Sequence, residues 1–283
     1  QMSTKDELPK TMSLILVFVV VVFFWMSFHQ NGLTLTYFAR DYTVKEVGPF
    51  TNIFFNLKSM LSFLGAAAGL YLLFAGKGAR NKTIGGVMLA GLGILTYFFV
   101  KGYDPLNAIS PEVFQSFNPL FIVVLTFPIM GFFAYLRRRN SEPSTPKKIG
   151  IGMIIAAVGF VIILIGSQGL IAPSTVEAQN LTEWGRISPY WLISTYLTLT
   201  VAELFLSPMG LSFVSKVAPT RFQGLMQGGW LLATATGNKL LFVGSYFWER
   251  IELWQIWFIF VICCIASAAF IFSIMKRLEK ATN

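Results

Sequence analysis

The chain is predicted to be all-α, a polytopic bundle of membrane helices. Three observations carry that prediction. Only 12% of its 283 residues are charged while 55% are hydrophobic, against roughly a quarter charged in a soluble domain. Several apolar runs exceed the ~18–20 residues that a helix needs to cross a bilayer. Alternating ten-residue strands, the mark of an outer-membrane barrel, are absent.

Eight spans are predicted, at residues 12–37, 50–75, 83–100, 119–136, 149–171, 189–213, 222–247 and 253–275. The polar stretch 1–10 precedes a long span, with no small-residue cleavage site after a short apolar core, so it is not read as a cleavable signal. The first span holds Trp25, the chain's one histidine, His29, and then Gln30, Asn31 and Gly32. At helical spacing Trp25, His29, Gly32 and Thr36 share a face. A histidine with an ordinary pKa of ~6.5 suits a proton relay, and equally suits a neutral packing role between helices. The second and third spans form a hairpin around a basic turn at residues 77–82.

Asn118-Pro119 opens the fourth span, with Asn as a candidate cap and Pro at a favoured first position. The linker at 137–148, RRRNSEPSTPKK, is the most polar stretch and reads as a flexible loop. The sixth span contains Glu203, in Thr200-Val201-Ala202-Glu203-Leu204-Phe205-Leu206-Ser207-Pro208. A carboxylate at membrane depth costs roughly 2.5–3.5 kcal/mol and therefore faces a cavity or a partner. Tyr196, Thr200, Glu203, Ser207 and Gly210 follow at steps of four and three, a small polar stripe that predicts a wetted surface. A lysine-paired structural carboxylate is the blander reading. Pro208 should bend the helix beside that face.

In the seventh span Gln227, Trp230, Thr234 and Gly237 lie on one face, and Gly224 and Gly228 have the spacing that permits close helix approach. The stripes on separate spans would form a cavity where they converge. Cys263 and Cys264, neighbours in the last span, point about 100° apart and are not expected to pair.

With both ends of the chain inside, fifteen Lys and Arg fall on the inner segments and five on the outer ones; Lys58 and Lys239 lie within spans and complete the 22. That is a positive-inside bias, and it accounts for the net charge of +9 without a nucleic-acid partner. One histidine cannot supply the clustered ligands of a metal hydrolase. Serine catalysis would have only His29 as a histidine base, and no glycine loop with lysine is present for nucleotide. Neither enzymatic activity nor a cofactor or metal is expected.

Glu203 to Ser212, followed by Lys216-Val217-Ala218-Pro219, resembles the tenth-helix signature of the proton-dependent oligopeptide transporters of the major facilitator superfamily. The stretch from Gly224 to Asn238, with Trp230 and Gly237-Asn238, is similar to that family's eleventh helix. Phe24-Trp25 to Gln30 resembles its seventh and Phe114 to Ile122 its eighth. The resemblance implies the C-terminal six-helix bundle of that fold plus an inserted two-helix hairpin: residues 1–40 as the first bundle helix, 41–110 as the insert packing outside the bundle, and 111–283 as the remaining five helices. It implies proton-coupled uptake of di- and tripeptides across the cytoplasmic membrane, in partnership with a missing N-terminal six-helix bundle. It further implies Glu203 as partner of the peptide's amino terminus, Asn118 for the peptide backbone, Trp25 and Trp230 as pocket walls, Ser207 and Gln30 as further substrate contacts, and Lys216 at a gate. His29 stands where the family usually has glutamate; with Glu203 it is the candidate for proton coupling. A transporter of another small solute, or a membrane sensor or scaffold subunit, is the alternative.

Overall fold

The structure, a computed structural model, describes residues 4–182 and 184–282; the side chains of residues 4–6, 207–209, 211, 281 and 282 lie outside the description. Two compact units emerge, one formed by the chain up to Thr43 together with the chain from Phe114 onward, the other by Val44–Val113.

In the first unit the opening helix α1 (Thr4–Phe28) gives way to a 3-10 turn at His29–Gly32 and resumes as α2 (Thr34–Tyr42). The predicted single span is therefore broken within its apolar run, at Gln30-Asn31-Gly32. Trp25, His29 and Thr36 consequently do not share one helical face: His29 stacks on Trp25, whereas Thr36 accepts a hydrogen bond from Gln115.

Within the second unit α3 (Pro49–Asn52) is a single turn, and α4 (Leu57–Ala75) and α5 (Ala79–Lys101) form the hairpin. The predicted span from residue 50 starts later because Asn56 caps α4, accepting from the Lys58 amide at 3.1 Å. Gly69 and Gly85 bring the two backbones together: a Cβ at Gly69 would sit 2.6 Å from the Leu89 nitrogen, and one at Gly85 2.5 Å from that of Leu73. Glu46–Val47 pairs antiparallel with Asn107–Ala108, and the Tyr103 hydroxyl donates to Ser59 at 2.7 Å.

The first unit continues with α6 (Phe117–Arg138), α7 (Thr145–Gly166), the short α8 (Pro173–Ala178), α9 (Pro189–Val217), α10 (Gln223–Lys239), α11 (Phe242–Trp248), α12 (Leu253–Ser273) and α13 (Met275–Thr282). Like the first span, the seventh is interrupted, at Leu240-Leu241. Among the described residues six helical segments are long and apolar enough to cross a membrane.

Helix α7 is deeply enclosed, with Ile149, Met153, Phe160 and Ile163 fully buried. Its glycines at seven-residue intervals face α9: a Cβ at Gly152 would meet the Ala202 carbonyl oxygen at 3.1 Å, one at Gly159 the Leu199 side chain at 3.2 Å, and one at Gly166 the Trp191 ring at 2.8 Å. Small residues let membrane helices approach closely where no hydrophobic driving force separates helix from lipid. Gly224 and Gly228, predicted for that role, have nothing within 4 Å; Gly229 and Gly237, on other sides of α10, make the close approaches to α1.

The polar linker between α6 and α7 is clamped rather than flexible. Glu142 takes Arg137 Nε at 2.6 Å and Lys148 Nζ at 2.6 Å, and the 2%-exposed Lys148 also lies 4.2 Å from the Phe133 ring centroid. Alongside, Glu279 of α13 accepts from Ser144 and pairs with Lys147 at 3.0 Å. Hydrogen bonds from Arg137 and then Lys148 hold the Glu142 carboxyl down to about 2, against an ordinary 4.5. A depressed carboxylate contributes stability that is complete above its unfolded value and is lost as pH falls through the folded one. Glu142→Gln removes the carboxylate that pairs with both Arg137 and the buried Lys148 ammonium, and is expected to lower unfolding free energy by about 2–3 kcal/mol at neutral pH. It should also flatten the acid limb of the stability curve between pH 4.5 and 2. Thermal unfolding of both forms across that range checks this; superimposable curves would mean that the clamp is incidental.

Candidate functional site

Glu203 lies near the middle of α9, partly buried, and its neighbour comes from another helix. Asn118, in the first turn of α6, donates through Nδ2 to Glu203 Oε2 at 3.0 Å and to Thr200 Oγ1 at 3.1 Å. Thr200, one turn earlier on α9 and fully buried, returns its own hydroxyl proton to the Tyr196 carbonyl at 2.7 Å. The amide thus reads one carboxylate oxygen and one hydroxyl on the same helical face, and sets the carboxylate's orientation. Among the described residues no cation pairs with Glu203. The lysine-bridge reading therefore has no partner here, and the acid is held by a neutral donor.

The stripe on α9 is wetted less than its spacing predicts. Tyr196 is 1% exposed, and its hydroxyl donates to the Asn31 carbonyl at 2.5 Å, tying α9 to the break in the first span. At the other end Gly210 is the seat of Trp230, whose ring occupies the space a Cβ would need. The Ser207 side chain and the bend expected at Pro208 lie outside the described residues.

Trp230 departs from its predicted place on an open pocket wall. It is 5% exposed, lodged on Gly210 of α9 and edge-on to Phe18 of α1 at 6.4 Å. Gln227 and Gln223 likewise bind Ser215 of α9, so much of the α10 stripe serves helix packing. Trp25 is different. Half-buried, it stacks on His29 with ring centroids 4.8 Å apart and 19° between planes, and among the described residues its indole N–H has no hydrogen-bond partner. His29 also has the Asn238 side chain of α10 beside it.

Gln30 corrects another prediction. Expected among the substrate contacts, it is wholly buried and every hydrogen-bonding group of its amide is engaged by protein. Nε2 donates to the Met26 carbonyl at 3.1 Å and the Leu241 carbonyl at 3.3 Å, and Oε1 accepts from the Thr34 hydroxyl. With both amide protons placed and its oxygen taken up by Thr34 in a wholly buried position, the side chain has no donor left for a ligand. Lys216 stands exposed in the last turn of α9. Thirteen residues beyond Glu203, at 1.5 Å per residue, it is about 20 Å along the helix axis.

Glu203, Asn118 and Thr200 make one cluster, and Trp25 with His29 another. Among the described residues no hydrogen bond, ion pair or ring contact joins the two. Sequence reasoning missed Tyr196 as a tie to the helix break and Gln30 as its internal ligand; a Gln-Asn-Gly run inside an apolar span was the signal.

Residues 105–252, just over half of the chain, match the family model described as the POT family. The peptide transporter YePEPT of Yersinia enterocolitica is 26% identical over 238 residues, covering 84% of this chain and 34% of that protein. Dipeptide and tripeptide permease A of Escherichia coli is 30% identical over 189 residues, covering 61% of this chain and 34% of that protein. The chain thus spans about a third of the length of these relatives. Among solved structures, a peptide transporter POT in complex with sulfate superimposes with a TM-score of 0.65 at 21% identity, over 99% of this chain and 42% of that one. A POT family transporter in complex with a thioalcohol-conjugated peptide gives 0.64 at 18% identity, over 97% and 43%.

Proposed function

This chain belongs to the POT family, and on that premise we propose that it supplies the C-terminal bundle of a proton-driven importer of di- and tripeptides. It sits in the cytoplasmic membrane with both ends on the cytoplasmic side, the orientation the positive-inside bias supports. The observation that carries the reading is Glu203, a carboxylate inside a membrane helix held by the Asn118 amide, with no cationic partner among the described residues. A carboxylate so placed is a ready acceptor for an ammonium group, and the ammonium common to unmodified peptides is their amino terminus. The names of the relatives, peptide transporter and dipeptide and tripeptide permease, support the substrate class.

In this reading Glu203 takes the peptide's amino terminus, and Asn118 orients the carboxylate and bonds the peptide backbone. Trp25 offers a flat apolar face, which tolerates varied side chains. Ser207 is a further substrate contact in this reading, and Lys216 belongs to a gate at the end of α9. Alternating access needs a second bundle to rock against, and solved relatives more than twice the matched length support such a partner.

His29 carries the proton. An acid in that position is anionic when empty and neutral when loaded, whereas imidazole is neutral when empty and cationic when loaded, so the charge cycle shifts by one unit for the same proton count. The coupling requires His29 and Glu203 to share one cavity in the complete transporter: an ammonium arriving at Glu203 then cancels a negative charge that favours imidazolium, which helps expel the proton. The test uses a complete transporter containing this chain, reconstituted in liposomes with an inward proton gradient. Wild type should accumulate dipeptide. His29→Gln should lose accumulation while downhill exchange survives, and undiminished accumulation would remove His29 from the proton path.

A further inference from the structure

Two helices of the bundle are interrupted, α1–α2 at His29–Gly32 and α10–α11 at Leu240-Leu241. Interruptions free backbone groups that must find partners inside the membrane. The first break satisfies the Asn31 carbonyl with the Tyr196 and Thr36 hydroxyls. The second shortens to i→i+3 bonding, with Val243 N to Leu240 O at 3.1 Å and Gly244 N to Leu241 O at 3.2 Å.

One side chain reaches both. The Gln30 amide gives one proton to Met26 O in its own helix and the other to Leu241 O, 211 positions away, while its oxygen takes the Thr34 hydroxyl from the helix beyond the first break. The fit is close, since a Cβ on Gly244 would collide with both Gln30 Oε1 and Thr34 Oγ1. Glutamine suits the place chemically: glutamate carries no donor when ionised, and leucine neither donates nor accepts.

We propose that Gln30 is a pin coupling the two helix breaks, so that opening either break loosens the other. It acts as a positioning residue for the adjoining Trp25–His29 pair. The inference rests on the hydrogen bonding of the two breaks and stands independently of what the protein carries, so a failure of one leaves the other intact.

Hydrogen–deuterium exchange on the whole protein in a lipid nanodisc provides the test, with no transport readout involved. Gln30→Leu removes the pin and should speed exchange about fivefold to tenfold, the worth of a typical hydrogen bond, in both 29–34 and 240–245. A rise confined to 29–34 would overturn the coupling. Where Gln30→Leu fails to fold, Gly244→Ala gives the reciprocal measurement: it displaces the Gln30 amide from the far side and should speed exchange at 29–34. Unchanged exchange there would equally overturn the proposal. Thr198→Val, which deletes a bond to Ser194 within α9, should leave both segments as in wild type; a matching rise at both breaks would show general loosening and overturn the coupling.

Discussion

Gly237→Ala is expected to force α1 and α10 apart and to destabilise the bundle by about 3 kcal/mol. The added Cβ would lie 2.6 Å from the Val22 carbonyl oxygen, 2.7 Å from Trp25 Cβ and 3.0 Å from the Met26 nitrogen. All three atoms are fixed to the α1 backbone, so no side-chain rotation relieves the overlap. Alanine is worth about 1 kcal/mol more than glycine in a helix interior, and that gain is smaller than the overlap it brings. Trp25 would move with the helix, so the change should reach the Trp25–His29 stack as well as the melting temperature. Gly228→Ala on the same helix meets nothing within 4 Å and should be neutral or mildly stabilising. Thermal unfolding of the three forms decides the matter, and equal melting temperatures for Gly237→Ala and wild type would contradict the packing described.

The class of the protein was legible because membrane burial is written locally, as runs of apolar residues; eight such runs were read as spans, and among the described residues six helical segments meet that standard. Glu203 was legible for the same reason, as a charge inside such a run. The breaks at Gln30-Asn31-Gly32 and after Asn238-Lys239 were harder to read. A polar group inside a span announces either a ligand site or a repair of the backbone, and only the partner decides which. For Gln30 the partner is Leu241 O, which no local pattern reveals. Trp230 illustrates the same limit: a tryptophan on a polar stripe suited a pocket wall until Gly210 on α9 proved to be its seat.

Glycine spacing misled in one place and was overlooked in another. Gly224 and Gly228 carry the familiar four-residue interval yet face open space, whereas Gly152, Gly159 and Gly166, seven apart, seat α7 against α9. An interval describes one helix; close approach also depends on which face the neighbour covers. The polar linker was misread because Lys148, counted as loop charge, lies within α7 and draws Glu142 onto it.

The second large effect is at Glu203. Glu203→Gln preserves shape and can still meet the Asn118 side chain, but it removes the charge that an ammonium would seek. A hydrogen bond to a charged group is worth about 2 kcal/mol, so the free amino terminus should bind roughly 30-fold less tightly once that charge is gone. An N-acetylated dipeptide has no ammonium to lose and should bind both forms about equally. The direct measurement is competition binding of a dipeptide and its N-acetylated counterpart to a complete transporter containing this chain, as wild type and as Glu203→Gln. The expected result is a preference for the free form of roughly 30-fold in wild type that collapses towards equality in the variant. A preference that survives Glu203→Gln unchanged would make the carboxylate structural and contradict the peptide site built on it.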